Sequence, residues 1–196
     1  MSVFGGKDST LFSREEFWRH CISTGIAVNV LSDRCRGSLT KRYPRDVLHL
    51  AGLLHDIGKI LLLQYCAEDF HAALSRSKDQ EMPLIDAERE VAECGHDQVG
   101  AWLGMKWNLS AEILQVIRWH HDPESADIGC RELAMLCHSA NYICNLERIG
   151  DGGDLHAPTF IQGVWRQLGL KVGDISEIVD AVSEESQNSE VLLSLM

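Results

Sequence analysis

Apolar positions recur at three- and four-residue intervals almost throughout the chain, and no run alternates apolar and polar residues long enough to predict a strand. The pattern predicts an all-α protein. The first helix starts at Ser13, because Ser13-Arg14-Glu15-Glu16 has the spacing of a capping box and Phe17, Ile22, Val28 and Leu31 follow, and it ends before Gly37. A second helix follows Pro44 and carries Val47, Leu50, Leu53, Leu54, Ile57, Ile60 and Leu61. Leu48, Leu62 and Leu63 make it apolar on most sides, so it belongs at the centre of the core. Shorter helices are expected over Ala67–Ser77 and Pro83–Glu93, and another from about Asp97 to Trp107 after a break at Gly95. Ser110 caps a helix that stops at Asp122-Pro123, and a long helix from about Cys130 to Arg148 closes the bundle. Trp102, Trp107, Trp119 and Trp165 are assigned mostly to the core.

The glycine-rich stretch Gly150-Asp151-Gly152-Gly153-Asp154 reads as a linker, followed by two or three amphipathic helices. The expected organisation is an N-terminal extension (1–12), a helical core (13–149), a linker (150–158) and C-terminal helices packed on the core (159–196). Division of 196 residues by roughly 150 per domain also gives one domain with an appendage. Apolar residues make up 45% of the chain and charged residues 24%, enough for one core, which excludes disordered and low-complexity classes.

The net charge of −11 leaves no field to gather a polyanion, so nucleic-acid binding is not expected. No apolar run is long enough to span a membrane, and the N-terminus lacks the pattern of a secretory signal, which together suggest a cytoplasmic protein. Seven cysteines without a Cys-x-x-Cys pair predict reduced thiols; Cys130, Cys137 and Cys144, seven apart, are expected near one helix face as small hydrophobes.

Nine histidines carry the candidate chemistry. His55-Asp56 lies within the greasiest predicted helix, where an ionised carboxylate is costly unless it is paired with a cation or a metal. Two partners fit. One is a salt bridge from Asp56 to Lys59 or an arginine; the other is an ion of iron, manganese, nickel, cobalt or zinc held jointly by imidazole and carboxylate. Lys59, one turn after His55, brings an ammonium to the same pocket and suggests an anionic ligand. Other candidates near helix ends are Glu16 and His20, His96 after Gly95, and His120-His121 before Pro123. His49, His71, His138 and His156 are taken as structural or surface residues.

The order of these motifs resembles the HD superfamily of metal-dependent phosphohydrolases: Glu16-x-x-x-His20, Leu53-Leu54-His55-Asp56-Ile57-Gly58-Lys59, Gly95-His96-Asp97-Gln98-Val99-Gly100 and Trp119-His120-His121-Asp122-Pro123. Within it the chain is most similar to HDOD signalling modules. The resemblance covers about residues 15–147 and implies an HD-domain-like helical bundle. It makes His20, His55, Asp56, His96, His120 and His121 the positions that match metal ligands, with Glu16 a further candidate, for one or two divalent ions.

Two departures stand out. Asn141 occupies the position of the superfamily's last aspartate ligand, and no Gly-Tyr-Pro follows His120-His121, which argues against a cyclic di-GMP phosphodiesterase. HDOD proteins also usually carry another helical segment before the tryptophan-histidine helix, so the chain is expected to be a minimal version or part of something longer.

The resemblance therefore implies a regulatory module with little or no catalysis that acts on a protein partner or an attached signalling domain. The alternative is a phosphohydrolase acting on a nucleotide or another phosphorylated small molecule, in which Asp56 bridges metal ions and Lys59 neutralises phosphate oxygens. A metal-free scaffold whose histidines only hydrogen-bond within the bundle is the third reading.

Overall fold

The structure, a computed structural model, describes residues 11–156 and 158–194, with side chains up to 186. Apart from Leu11 and Phe12, the expected N-terminal extension lies outside the described residues. The all-α expectation holds: the described residues form ten α-helices and two short 3-10 turns, and no strand. The helices are α1 (Arg14–Arg34), α2 (Arg45–Leu54), α3 (Ile57–Tyr65), α4 (Ala67–Gln80), α5 (Leu84–Ala92), α6 (His96–Lys106), α7 (Ala111–Trp119), α8 (Arg131–Leu146), α9 (Gln162–Leu168) and α10 (Ile175–Ser194). None is long and apolar enough to cross a membrane, among the described residues.

Local sequence explains most boundaries. The Ser13 hydroxyl accepts the Glu16 amide and that of Ser110 accepts the Ile113 amide, each satisfying an otherwise orphaned donor at a helix start. At the start of α6 the Gln98 side chain reaches back to the Gly95 amide.

One expectation is corrected. The helix predicted to run from Pro44 through Leu63 is two helices, broken at His55-Asp56. The break has a packing cause. Gly58, in the first turn of α3, lies so close to the start of α6 that a Cβ there would stand 1.9 Å from the His96 carbonyl oxygen. By ending α2 before His55, the chain turns α3 toward α6 and leaves the His55 and Asp56 side chains in the gap between helices.

Two apolar clusters result. The larger joins α1, α2, α7, α8, α9 and α10 through residues such as Val28, Leu31, Leu48, Ile117, Leu136 and Trp165. The smaller joins the start of α1 to α3, α4 and α5 through Phe17, Leu63, Phe70, Leu74 and Leu84. Between them runs a layer of fully buried polar side chains: His20, His55, Asp56, Lys59, His96 and His120.

The tryptophans divide. Trp165 is in the core and Trp119 is partly buried, whereas Trp102 on α6 and Trp107 at its C-cap, assigned to the core by sequence, are more than half exposed, with no helix packed over them among the described residues. Cys137 and Cys144 are buried; Cys130 sits at the N-cap of α8, before the helix begins, and is only partly covered.

Candidate metal centre

Five segments supply the polar layer. His20 comes from α1, His55, Asp56 and Lys59 from the α2–α3 break, His96 from the first turn of α6, His120 and His121 from the end of α7, and Asn141 from α8. Ligand atoms of Asp56, His96, His120 and His121 lie within 4.8 Å of one another, and so do those of His20, His55 and Asp56; Asp56 belongs to both groups. Its carboxylate has the Nε2 atoms of His96, His120 and His55 at 3.1, 3.3 and 3.3 Å.

The outer nitrogens of three rings are tied down. His55 Nδ1 donates to the Gly52 carbonyl (2.6 Å), His120 Nδ1 to the Ile117 carbonyl (3.0 Å), and His96 Nδ1 to the buried Glu88 carboxylate (2.7 Å). With Nδ1 engaged, Nε2 is left facing the centre, the tautomer and orientation that metal-binding histidines need. The Nε2 atoms of His55 and His120, both ring nitrogens of His20 and both oxygens of Asp56 are buried without an aligned hydrogen bond. Such orphaned groups are costly in a protein interior unless something else satisfies them.

Electrostatics separate the histidines. Burial holds His20 and His120 well down, to about 3 and about 4, so both present lone pairs at neutral pH. Burial likewise keeps His121 well below its ordinary value, helped by the neighbouring His120 and His96. His96 goes the other way: against the burial penalty, Glu88 and then Asp56 raise it to about 10. A protonated His96 Nε2 then donates to His121 Nε2 at 2.9 Å. Burial would push the Asp56 carboxyl up, but His55, Lys59 and His96 hold it well below the usual range.

Lys59 is the internal cation of the pocket. Its ammonium, fully buried, stands 2.7 Å from Asp56 Oδ2 and 2.5 Å from Asp154 Oδ2, and it donates to the Gly152 carbonyl at 3.0 Å. Asp154 lies in the glycine-rich segment expected to be a linker, and that segment is folded against the site. At Gly150, φ is +69°, and a Cβ would stand 2.3 Å from the His20 amide nitrogen, so only glycine fits this approach to α1. Three carboxylates (Asp56, Glu88, Asp154) thus face two cations (Lys59 and protonated His96). Exchanging the His96 proton for a divalent ion balances the remaining charge, and the free imidazole and carboxylate atoms have the donor chemistry of such an ion. The residues present fit a divalent metal.

Two expected ligands are placed differently from the rest. Glu16 stays outside the convergence: its side chain is partly exposed and stands 3.8 Å from Arg19 Nε, and its backbone carbonyl accepts from the Asp151 amide. Asn141 is buried beside His20, and its Oδ1 accepts from Asn145 Nδ2 at 2.6 Å, which leaves one lone pair of a neutral oxygen for a cation. His138, read as structural, supports the site from behind by donating Nδ1–H to the His120 carbonyl at 2.8 Å.

Sequence reasoning missed Glu88 and Asp154. Glu88 had a signal: it falls on the apolar stripe of α5 with Leu84, Ile85 and Ala87, where a lone carboxylate calls for a partner. Asp154 had none, because its partner Lys59 is 95 residues away.

The centre reaches the surface beside His121, at a cleft of about 200 Å³ lined by Arg89, Asp97, Arg118, Trp119, His138 and Asp154. Arg118 pairs with the buried Asp97 and stacks on Trp119, its guanidinium 4.1 Å from the ring centre, while Arg89 reaches the same carboxylate at 3.3 Å.

Comparison with known proteins agrees with this architecture. Residues 1–123, more than half of the chain, match the HDOD domain family. The chain is 26% identical, over 74 residues, to an uncharacterised protein of Treponema pallidum (strain Nichols), a match covering 38% of this chain and 14% of that protein. Among solved structures it is similar to an HDOD domain protein of unknown function from Geobacter sulfurreducens (TM-score 0.70, 23% identity, 91% of this chain and 64% of that one). It is also similar to a putative signal transduction protein from Marinobacter aquaeolei VT8 (TM-score 0.70, 21%, covering 95% and 41%). A third is a putative phosphohydrolase from Shewanella amazonensis SB2B (TM-score 0.64, 21%, covering 91% and 62%). The chain thus spans less than two thirds of the length of each of these relatives. With the family match and the shared helical fold together, the chain belongs to the HDOD domain family.

Proposed function

We propose that the chain is a regulatory HDOD module whose histidine pocket holds a divalent metal, with little or no turnover, and that it signals by contact with a protein partner or an attached domain. The observation that carries this reading is closure: His20, His55, Asp56, His96 and His120 are all fully buried, and Lys59 is locked between Asp56 and Asp154. The surface cleft beside His121 is lined by Asp154, which is held on Lys59, so a phosphoester entering it meets the ion triad before the Asp56 carboxylate. Asn141, with its oxygen engaged by Asn145, adds no charge to help hold a second ion.

When bound, the metal would supply charge neutralisation to Asp56 and cross-link α1, the α2–α3 break, α6 and α7. The chain's own residues then relay its state. Lys59 connects Asp56 to Asp154, which closes the glycine-rich segment after α8 and lies eight residues before α9. Binding at the centre would thereby be felt at the C-terminal helices, which pack on the core through Trp165, Leu168, Ile178 and Val182. The name of the Marinobacter relative favours the same class of role.

The second reading, a phosphohydrolase, is favoured by one specific feature: the cleft beside His121 carries Arg89 and Arg118, which suit a phosphate. The name of the Shewanella relative points that way. An assay of the protein loaded with manganese or iron on p-nitrophenyl phosphate and its bis ester separates the two. Regulation predicts stoichiometric metal and turnover far below the roughly 1 per second of ordinary enzymes. Turnover at or above that rate, abolished in Asp56→Ala, would establish the hydrolase instead.

A further inference from the structure

A wide apolar feature lies away from the metal centre. Between α3 and α6 runs a groove of about 790 Å³ whose walls include Leu61, Tyr65, Val99, Trp102 and Leu103. A smaller hollow, sharing Leu61, Tyr65 and Leu103, extends it to Trp107. Tyr65 is 77% exposed, Trp102 57% and Trp107 53%. Since each aromatic side chain offers about 150–250 Å², these three alone leave on the order of 400 Å² of contiguous apolar surface in water. That lies within the roughly 300–600 Å² of the largest patch on a typical monomer, a patch that is often functional.

Charge marks both ends of this face. Lys106, in the last turn of α6, lies over Trp102 and has no ion-pair partner among the described residues. Cys66 and Cys94 line the opposite end, before α6 begins. Cys66 is also the N-cap of α4, and Asp69, exposed in the first turn of that helix, sets a carboxylate near this end. Asp69 also has no ion-pair partner among the described residues.

We infer that this face is a twofold interface between two copies of the chain, with α6 of one copy antiparallel to α6 of the other. The face is self-complementary. Its exposed rings, Trp102 and Tyr65, wall an apolar groove, so across a twofold axis the rings of each copy can pack into the groove of the other, as an isologous contact requires. Antiparallel α6 helices bring Lys106 of each copy to the Asp69 end of the other. The aromatic surface is about half of the roughly 800 Å² per partner that a stable interface needs. Leu61, Val99, Leu103 and the stems of Gln64, Gln98 and Lys106 adjoin it to supply the remainder.

Sedimentation equilibrium from 1 to 100 μM tests the inference on the full chain. The expected species has twice the 21.9 kDa chain mass. Trp102→Glu, at an exposed position, should weaken dimerisation at least about 30-fold with an unchanged helical circular dichroism spectrum. Lys106→Glu and Asp69→Lys should each weaken it about 2–5-fold, and the double charge reversal should restore it, an outcome specific to this antiparallel pairing. A wild-type chain that is monomeric at 100 μM overturns the inference and leaves the face to another protein. A dimer indifferent to Trp102→Glu overturns it equally, as does a double reversal no better than the single variants.

Discussion

Replacing Lys59 with methionine tests the ion triad at the heart of the pocket. The methionine keeps most of the apolar stem but removes the ammonium that stands 2.7 Å from Asp56 and 2.5 Å from Asp154, with all three side chains essentially out of solvent. Two carboxylates are then buried without their cation. Breaking a buried ion pair from one side costs about 3–5 kcal/mol. At about 2–4 °C per kcal/mol for a chain of this size, the melting temperature in EDTA should fall by roughly 6–20 °C. The same variant in millimolar manganese should recover most of that loss, because a bound divalent ion replaces the missing charge at Asp56. It should also bind manganese more tightly than the wild type does, since Lys59 no longer competes for Oδ2. Differential scanning calorimetry in EDTA and in manganese reads both effects. A variant that melts within 2 °C of the wild type in EDTA would show that the ammonium is not held as described.

Three further outcomes follow from the same geometry. Glu88→Gln removes the charge that fixes His96, so manganese affinity by calorimetric titration should fall about 10–100-fold, with the secondary structure intact. Asn141→Asp adds a carboxylate beside His20 and should tighten metal binding; unchanged affinity would mean that position 141 does not address the ion. In EDTA, stability should peak near pH 6.5. Below that value the unfolded chain protonates His20 and His120 while the folded chain, holding them near 3 and 4, does not, so stability falls by up to about 1.4 kcal/mol per pH unit for each. His96 acts on the other side: folded it keeps its proton to about 10, so its contribution is complete below 6.5 and is lost as pH rises through 10. Urea titrations from pH 4.5 to 9 measure the curve, and a profile flat below pH 6.5 would contradict the buried neutral histidines.

The helices were legible because their signals are local. Ser13 and Ser110 cap where a serine precedes an apolar repeat, and Gly95 interrupts where expected. The histidine and aspartate positions were legible for a different reason, since a carboxylate inside an apolar run demands a partner wherever it sits. The break at His55-Asp56 was not legible: its cause is the approach of Gly58 to the His96 carbonyl, a contact between segments about forty residues apart. Composition alone makes Gly150-Asp154 a linker, whereas in the fold Gly150 serves close approach to α1 and Asp154 neutralises Lys59. Trp102 and Trp107 show the reverse error, for residue type gives the usual location of tryptophan and says nothing of a helix face left uncovered.

The central claim is that helices distant in sequence gather His20, His55, Asp56, His96 and His120 around one cation-holding centre. Anomalous scattering at the manganese edge, from crystals grown with that ion, tests it most directly. The expected result is a peak in contact with Asp56 and at least two of the imidazole Nε2 atoms. No peak at saturating manganese, with Lys59 and His96 still the groups that balance Asp56, would contradict it.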